Sequence, residues 1–270
     1  MIGIKFNGRL GNQIFQYVFY QYLKTNNKKK HFFFVNPHHA YLTKYFDLDT
    51  YDNFTLGSKI YSIFTRSVPH LIKFKELYIQ NIQVPREVHV EDWMIYKGFF
   101  QTDWYLKHIQ GGLNIHIKQQ YVQEFQDKFG AIFNKEKTVV VHIRRTDYMN
   151  YGKRDISLPM EYFKRRLEAI SDLDSYRVFF VSDDIEHVRS YFQEKPNFIY
   201  SSNNEITDFQ IIKNADVAII SNSSFAWWAA YLSEKDNVVY APKNWLGFRI
   251  GKEHPKKVMT EKFIWCDVLA

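Results

Sequence analysis

Short apolar runs alternate with amphipathic helical periods throughout the second half of the chain. The runs are rich in β-branched and aromatic residues and have the length of buried strands; they lie at 138–142, 177–182, 198–200, 216–220 and 238–241. Helical periodicity between them covers 159–170, 185–192, 205–213 and 224–232. This order predicts a parallel sheet with helices on both faces.

The first half of the chain is less regular but begins in the same way. Its predicted elements are strands at 1–6, 31–35 and 96–100, a loop at 7–12, and helices at 13–25 and 115–129. The segment 36–91 has a mixed pattern of helices and loops. Two α/β halves that each start with a strand predict two Rossmann-like lobes facing a cleft, an N-terminal lobe at 1–134 and a C-terminal lobe at 135–270.

Charge and composition narrow the range of partners. The net charge is +7, which favours a nucleotide, a nucleic acid or an anionic membrane surface. The aromatic share of 18% suits sugars as well as core packing. Cys266 is the single cysteine, so no disulfide forms within the chain. Since no apolar run has the length of a membrane helix, we expect a cytoplasmic protein with at most peripheral membrane contact.

Polar residues follow three of the strands of the second half. The segment HIRRTD (142–147) follows the first strand, SDD (182–184) the second, and SNSS (221–224) the fourth. In an open parallel sheet, ligands bind beyond the carboxyl ends of the strands. We therefore expect these three segments to converge on one binding site.

The basic residues and the helix start in these segments suit a diphosphate. Arg144 and Arg145 offer charged, fork-shaped donors that match phosphate oxygens, and we expect one to face the ligand while the other supports the loop. Asn222 leads into Ser223 and Ser224, which open a helix whose free N–H groups and dipole favour an anion. The arginines and the helix start together predict a pyrophosphate clamp.

Three carboxylates suit the rest of a guanosine nucleotide. Asp183, Asp184 and Asp216 accept hydrogen bonds only, as the ribose hydroxyls and the donor edge of guanine require. Each site residue also has a structural alternative. An arginine could form a plain ion pair with Asp147, a serine or aspartate could cap a helix, and His142 could be a satisfied core histidine.

The glycine and aspartate motifs argue against a P-loop, a nicotinamide enzyme and a metal-dependent transferase. GIKFNG (3–8) has the glycine spacing of a P-loop but lacks the lysine, and no G-x-G-x-x-G is present. Of two D-x-D triplets, 47–49 follows no clear strand and 172–174 lies in a helix-to-strand loop, at the wrong end of the sheet for a ligand. The sequence therefore predicts no metal site.

HIRRTD resembles the H-x-R-R-x-D signature of the α1,2-, α1,6- and protein O-fucosyltransferase superfamily. Four further segments resemble the α1,2-fucosyltransferase branch, glycosyltransferase family 11, and occur in that family's order. They are GRLGNQIFQY (8–17), GFFQTDWYL (98–106), FVSDD (180–184) and SNSSFAWWAAYL (221–232). One departure is Thr146, where many α1,2 enzymes have glycine and the α1,6 branch also has threonine.

The resemblance implies a GT-B-like fold and inverting, metal-independent transfer of fucose from GDP-fucose, a co-substrate, with no cofactor. The C-terminal lobe would bind GDP-fucose, and the N-terminal lobe would bind a glycan acceptor, most naturally O2 of a terminal β-galactoside on a polysaccharide or oligosaccharide. Residues implied in donor binding are Arg144 and Arg145 on the diphosphate, Asp216 on guanine, His142 near the nucleotide, Ser223 and Ser224 on phosphate, and Arg9, Asn12 and Gln13 on the loop facing the cleft.

Electrostatic stabilisation of the leaving diphosphate is the predicted mechanism, with Arg145, Arg144 and Asp147 as the catalytic set. Asp147 is expected to orient an arginine in preference to acting as a base; Asp155 and Glu161 are other candidate bases. Rival hypotheses are α1,6 linkage, a different GDP-sugar, a sugar-binding module without catalysis, and a nucleic-acid-binding protein. Nucleic-acid binding would spread the arginines along a groove instead of gathering them at strand ends.

Overall fold

A computed structural model describes residues 1–35, 41–48, 59–79 and 82–269. Parts of the mixed segment 36–91, including Asp49 of the first D-x-D triplet, lie outside these ranges. The chain forms two compact units, one of residues 1–118 and 254–258, the other of residues 119–253 and 259–270. The units thus divide at Lys118 and Gln119, where the sequence predicted a division at 134 and 135. No helix among the described residues is long and apolar enough to cross a membrane.

The first unit contains a parallel sheet. Its elements are β1 (Ile2–Lys5), α1 (Leu10–Asn26), β2 (Phe32–Val35), α2 (Tyr41–Tyr45), β3 (Phe46–Leu48), α3 (Lys59–Leu71), β4 (Lys75–Tyr78), β5 (Met94–Lys97), α4 (Trp104–Lys107) and β6 (Ile115–Ile117). Within the described ranges the strands pair in the order β2-β1-β5-β4, all parallel, while β3 and β6 form a separate antiparallel pair. The start of the helix predicted at 115–129 is therefore wrong, because 115–117 is the strand β6.

Aromatic packing joins α1 to this sheet. Phe19 stacks on Phe100 with ring centroids 3.8 Å apart and meets Tyr96 of β5 edge-on. A glutamine of α1 joins two loops of this unit. Gln16 is fully buried and its amide accepts from the Asn7 N–H and donates to the Gly98 carbonyl, so it ties the loop after β1 to the loop after β5.

The second unit has the predicted alternation of strands and helices. Its elements are α5 (Gln119–Lys135), β7 (Lys137–Ile143), α6 (Met160–Glu168), β8 (Tyr176–Ser182), α7 (Ile185–Phe192), β9 (Phe198–Tyr200), α8 (Glu205–Lys213), β10 (Val217–Ile220), α9 (Ser224–Tyr231), β11 (Val238–Pro242) and β12 (Ile264–Cys266). In this fully described part of the unit, 119–269, the strand order is β12-β11-β10-β7-β8-β9 and every pairing is parallel. The predicted α/β fold is confirmed, and β12 is an additional strand.

Alternate residues of the central strands pack on opposite faces of this sheet. Val139, Val141 and Phe180 belong to one buried cluster with side chains of α6 and α7. Phe179, the neighbour of Phe180, instead contacts Phe133 of α5 with ring centroids 5.1 Å apart. Because side chains alternate along a strand, the continuous apolar runs of β7 and β8 are buried on both sides.

Candidate active site

The carboxyl ends of three neighbouring strands bring the predicted segments together. His142 of β7 is in register with Ile220 of β10, and Ile143 of β7 with Ser182 of β8. The HIRRTD, SDD and SNSS segments therefore leave the sheet side by side at one edge. Their side chains interact there, and each contact defines what remains available to a ligand.

Asp183 holds the arginine loop in place. Its carboxylate accepts from the backbone N–H of Arg145 at 2.9 Å and of Thr146 at 3.1 Å, and from the Thr146 hydroxyl. The same carboxylate lies 3.3 Å from Nε of Arg144. The prediction that Asp183 contacts ribose or guanine is therefore wrong for this arrangement, because its two oxygens are already occupied by the loop.

Arg144 is also committed to the loop. Its Nε and Nη2 donate to the two carboxylate oxygens of Asp147, both at 2.8 Å. The guanidinium lies 5.8 Å from the ring centre of Tyr148. The two bonds between Arg144 and Asp147 form a bidentate pair, which is the strongest geometry that these side chains can form. The pair fits the predicted orienting role of Asp147 as well as the plain ion pair considered as its alternative, so the part of Asp147 in catalysis stays a prediction.

Arg145 has a different environment. Its Nε donates to Asp184 at 3.1 Å, which fixes the direction of the side chain. In the part of the chain that the structure describes, no contact occupies the two terminal nitrogens of this guanidinium, and the side chain is partly exposed. Arg144 thus bonds within the loop, whereas Arg145 uses only its Nε among the described residues; that Arg145 faces the ligand stays a prediction. Asp184 occupies the N-cap position of α7, but in the described residues its side chain bonds Arg145 and makes no capping bond.

His142 is buried beneath these arginines. Its Nδ1 lies 2.9 Å from the hydroxyl of Ser221, and its ring is 6.0 Å from that of Phe225. Burial, and secondarily the charge of Arg144, lowers the pKa of His142 to about 3. The imidazole is therefore neutral at physiological pH, and it matches the core-histidine alternative better than a role on the nucleotide.

The neutral state of His142 predicts a dependence of stability on pH. The unfolded histidine titrates near its ordinary value of 6.5, well above its folded pKa. The unfolded chain binds more protons between these values, so the stabilisation is complete above pH 6.5 and is lost as the pH falls towards 3. Its slope approaches 1.4 kcal/mol per pH unit. The variant His142→Asn keeps an acceptor for Ser221 but cannot titrate, so its urea-unfolding free energy should fall less steeply with acid; equal slopes would contradict this assignment.

The SNSS segment leads into α9 from a buried turn. Asn222 donates through Nδ2 to the carbonyl of Ile156 at 2.8 Å, and its carbonyl accepts from the Tyr148 hydroxyl at 3.2 Å. Its Oδ1 is buried without a partner among the described residues. Ser223 is the N-cap residue of α9, yet within the described chain its hydroxyl makes no capping bond, and the half-buried Ser224 begins the helix. The first N–H groups of α9 are therefore left for an anion.

Asp216 lies at the opposite edge of the sheet. It precedes β10, and its Oδ2 accepts from the N–H and the hydroxyl of Thr138, both at 2.8 Å. Its Oδ1 accepts from Lys235 at 2.8 Å. Partial burial raises the pKa of Asp216, but the bonds from Lys235 and Thr138 outweigh it and hold that pKa below its ordinary value. The prediction that Asp216 contacts guanine is wrong, because the residue joins the amino ends of β7 and β10.

Asp208 is a further carboxylate near the carboxyl edge of the sheet, and the sequence analysis did not predict it. Ser201 directly follows β9, the strand next to β8, and its hydroxyl donates to Oδ1 of Asp208 in the first turns of α8. Burial raises the pKa of Asp208 to about 7, against the opposing effects of Ser201 and Lys128. Applied to the third predicted strand, 198–200, the rule that ligands bind beyond strand ends would have indicated Ser201, which contacts Asp208.

The predicted residues of the N-terminal loop belong to the first unit. Gln13 is buried, donates to the Gly8 carbonyl at 3.1 Å and accepts from the Leu42 N–H at 3.1 Å. The prediction that Gln13 faces a ligand is therefore wrong, because its amide joins the loop to α2. Asn12 accepts from Gln101 at 2.9 Å, and Arg9 is exposed at the N-cap position of α1.

The other carboxylates considered as bases are engaged by neighbouring side chains. Asp155 accepts from the N–H and the hydroxyl of Ser157, and Arg249 lies 3.3 Å from it. Glu161 accepts from the hydroxyl of Tyr191 at 3.1 Å. Among the described residues, no group of three or more His, Cys, Asp or Glu side chains is arranged to hold a metal ion.

The two α/β units and their parallel sheets form a GT-B-like fold. A solved structure of the α-1,6-fucosyltransferase NodZ of Bradyrhizobium, co-crystallized with GDP, superposes with a TM-score of 0.52 at 11% identity over 86% of this chain and 92% of that chain. At this identity the likeness concerns the fold alone. The family model of glycosyl transferase family 11 matches residues 1–260, and the chain belongs to that family.

Two Escherichia coli proteins are similar in sequence. The O-antigen biosynthesis glycosyltransferase WbnK is 31% identical over 124 residues, which cover 43% of this chain and 41% of that protein. An α-1,2-colitosyltransferase is 27% identical over 281 aligned residues, which cover 88% of this chain and 90% of its own. The resemblance stated from the five motifs is thereby confirmed at the level of the family.

Proposed function

We propose that this protein transfers L-fucose from GDP-fucose to a glycan hydroxyl, O2 of a terminal β-galactoside, with inversion and without a metal. The observation that carries the proposal is the Arg145 guanidinium at the carboxyl edge of the sheet. In the described part of the chain its terminal nitrogens make no contact, and the hydroxyl of Ser223 makes no capping bond at the start of α9. Departure of GDP builds negative charge on the diphosphate, and fixed donors that face this charge stabilise the transition state. The first unit would then bind the acceptor.

The nucleotide base is assigned to Asp208 in place of Asp216. Guanine presents two adjacent donors, its N1–H and its exocyclic amine, and a carboxylate accepts both. Asp208 lies at the ligand edge, and Ser201 supports one of its oxygens. Burial raises its pKa to about 7, and further donors would stabilise the ionised carboxylate. Guanine would supply those donors on binding.

A second candidate donor follows from the colitosyltransferase relative. Colitose is 3-deoxy-L-fucose, so its GDP ester carries the same diphosphate and base and lacks one hydroxyl. The contacts proposed for Arg145, α9 and Asp208 serve both donors equally. A site that hydrogen-bonds the 3-hydroxyl strongly disfavours the deoxy sugar, whereas a site without that contact discriminates weakly. The choice between GDP-fucose and GDP-colitose therefore depends on whether the site forms a hydrogen bond to the 3-hydroxyl of the sugar.

A transfer assay tests the proposal. The purified chain is incubated with GDP-fucose, GDP-colitose or GDP-mannose and β-galactosides, with and without excess EDTA. We expect turnover of GDP-fucose that EDTA leaves unchanged, and no product with a 2-deoxygalactoside, because the attacking oxygen is absent. A preference for GDP-colitose would establish the second candidate. Loss of turnover in EDTA that manganese restores would contradict the arginine-based mechanism, and transfer to the 2-deoxygalactoside would contradict the linkage.

A further inference from the structure

Helix α3 exposes large apolar side chains on its outer side. Ile63, Phe64 and Leu71 are 58%, 55% and 80% exposed. At about 100° per residue these three positions fall within one sector of roughly 100°. Thr65 and Val68 of the same helix are buried, and α3 packs against β2. The core of the first unit therefore accounts for the inner face of α3 and leaves the outer face unexplained.

The apolar exposure continues past the end of the helix. Ile72 and Trp93 are both 46% exposed. Trp93 packs edge-on against Phe74, with ring centroids 5.4 Å apart, and its carbonyl accepts from the N–H of Lys75. Trp93 thus lies beside the segment that follows Leu71. We refer to the exposed residues Ile63, Phe64, Leu71, Ile72 and Trp93 together as the α3 surface.

The α3 surface is accompanied by positive charge. The segment 59–75 contains Lys59, Arg66, Lys73 and Lys75 in addition to His70, and it has no aspartate or glutamate. Arg66, His70, Lys73 and Lys75 are exposed. The nearest acidic residues in sequence are Asp52, which lies outside the described residues, and Glu76, which pairs with Lys97. Glu91 and Asp92 precede Trp93, and Asp92 pairs with Lys30 and the N-terminus. The segment 59–75 therefore combines exposed apolar side chains with an excess of positive charge.

We propose that the α3 surface binds the face of an anionic lipid bilayer. Aliphatic side chains and a tryptophan enter the headgroup boundary, while lysine and arginine attract acidic lipids; this combination defines an interfacial helix. A second copy of the chain is a poorer occupant, because a two-fold contact would set this basic segment against itself. Nucleic acid is poorer as well, because three of the five residues of the surface are aliphatic and offer no ring on which a base could stack. The proposal does not depend on the donor or on any catalytic residue.

Sedimentation with lipid vesicles tests this proposal. The full chain is mixed with vesicles of phosphatidylcholine alone, or of phosphatidylcholine and phosphatidylglycerol in equal parts, without nucleotide. We expect binding to the anionic vesicles only. The variant Ile63→Ser/Phe64→Ser/Leu71→Ser should bind at least tenfold more weakly. The variant Arg66→Gln/Lys73→Gln/Lys75→Gln should lose about 100-fold, at roughly fivefold per basic residue.

A matched control removes the same charge elsewhere. Lys28→Gln/Lys29→Gln/Lys252→Gln also lowers the net charge by three at exposed positions, and it should bind nearly as the wild type does. Equal losses in this control and in the α3 charge variant would overturn the proposal in favour of nonspecific attraction. Failure of the wild type to bind anionic vesicles would also overturn it. So would a dimer in sedimentation velocity that the serine variant abolishes, since the surface would then join two copies. Circular dichroism confirms that each variant is folded.

Discussion

Replacing Arg145 with alanine is expected to lower kcat/KM for GDP-fucose by about 10²–10³-fold while the fold stays intact. Donors aimed at charge that develops in the transition state are worth about 2.7–4 kcal/mol each. Arg145 meets this description because Asp184 fixes its Nε and leaves its terminal nitrogens for the diphosphate. Steady-state kinetics measure the effect, and circular dichroism and thermal unfolding test the fold.

Two further variants identify the source of that loss. Arg145→Lys should recover only part of the activity, because an ammonium cannot reproduce the bidentate fork. Asp147→Asn should be milder than Arg145→Ala, since Asp147 bonds Arg144 and not the proposed ligand-facing arginine. Near-native turnover in well-folded Arg145→Ala would reject the diphosphate contact. If Asp147→Asn were instead the more damaging change at normal GDP affinity, Asp147 would become the candidate base.

Replacing Asp208 with asparagine is expected to weaken GDP binding by about tenfold to 100-fold, because hydrogen bonds to charged groups contribute about 1.5–3 kcal/mol. The effect should be specific to the base. Inosine diphosphate lacks the exocyclic amine of guanine, so the preference of the wild type for GDP over inosine diphosphate should shrink in the variant. Titration calorimetry with both nucleotides measures this ratio. Since the ionised carboxylate binds guanine, the wild type but not the variant should also lose affinity as the pH falls below about 7.

Asp216→Asn is the matched control for the base assignment. Asp216 bonds Thr138 and Lys235 at the amino edge of the sheet, so its replacement should lower the melting temperature and leave the preference between the two nucleotides unchanged. The reverse pattern, with an altered preference in Asp216→Asn and none in Asp208→Asn, would return the guanine contact to Asp216.

The sheet of the second unit was predictable because its strands are buried on both sides. Continuous apolar runs such as 138–142 have no stable alternative to a central parallel strand, and the polar residues that follow them mark the ligand edge. The start of α5 was misplaced because Ile115–Ile117 is too short to show a period of two, and because it pairs with a strand far away in sequence. Pairing of this kind leaves no local signal.

The site was less predictable than the fold, because the role of a polar residue depends on which neighbours use its atoms. Asp183 and Asp216 are both aspartates next to strands. Asp183 accepts from the backbone of the arginine loop, whereas Asp216 accepts from Thr138 at the opposite edge of the sheet. Whether a residue precedes or follows its strand could be read from the sequence, and it separates Asp216 from the site. The folded structure was needed to see that Arg144 pairs with Asp147 and that, among the described residues, the terminal nitrogens of Arg145 make no contact.

The bonds from Thr146 and its neighbours to Asp183 affect how quickly a donor is bound. The amides of Arg145 and Thr146 and the Thr146 hydroxyl all donate to one carboxylate, so the loop is ordered before any ligand arrives. An ordered loop loses little conformational entropy on association, and its amide hydrogens exchange slowly with solvent. If the proposed donor binds here, we expect its association rate to be set by diffusion and by the charge of the arginines, without a slow folding step of the loop. Glycine in place of Thr146 removes one of the three donors and frees the backbone, so association becomes coupled to loop ordering.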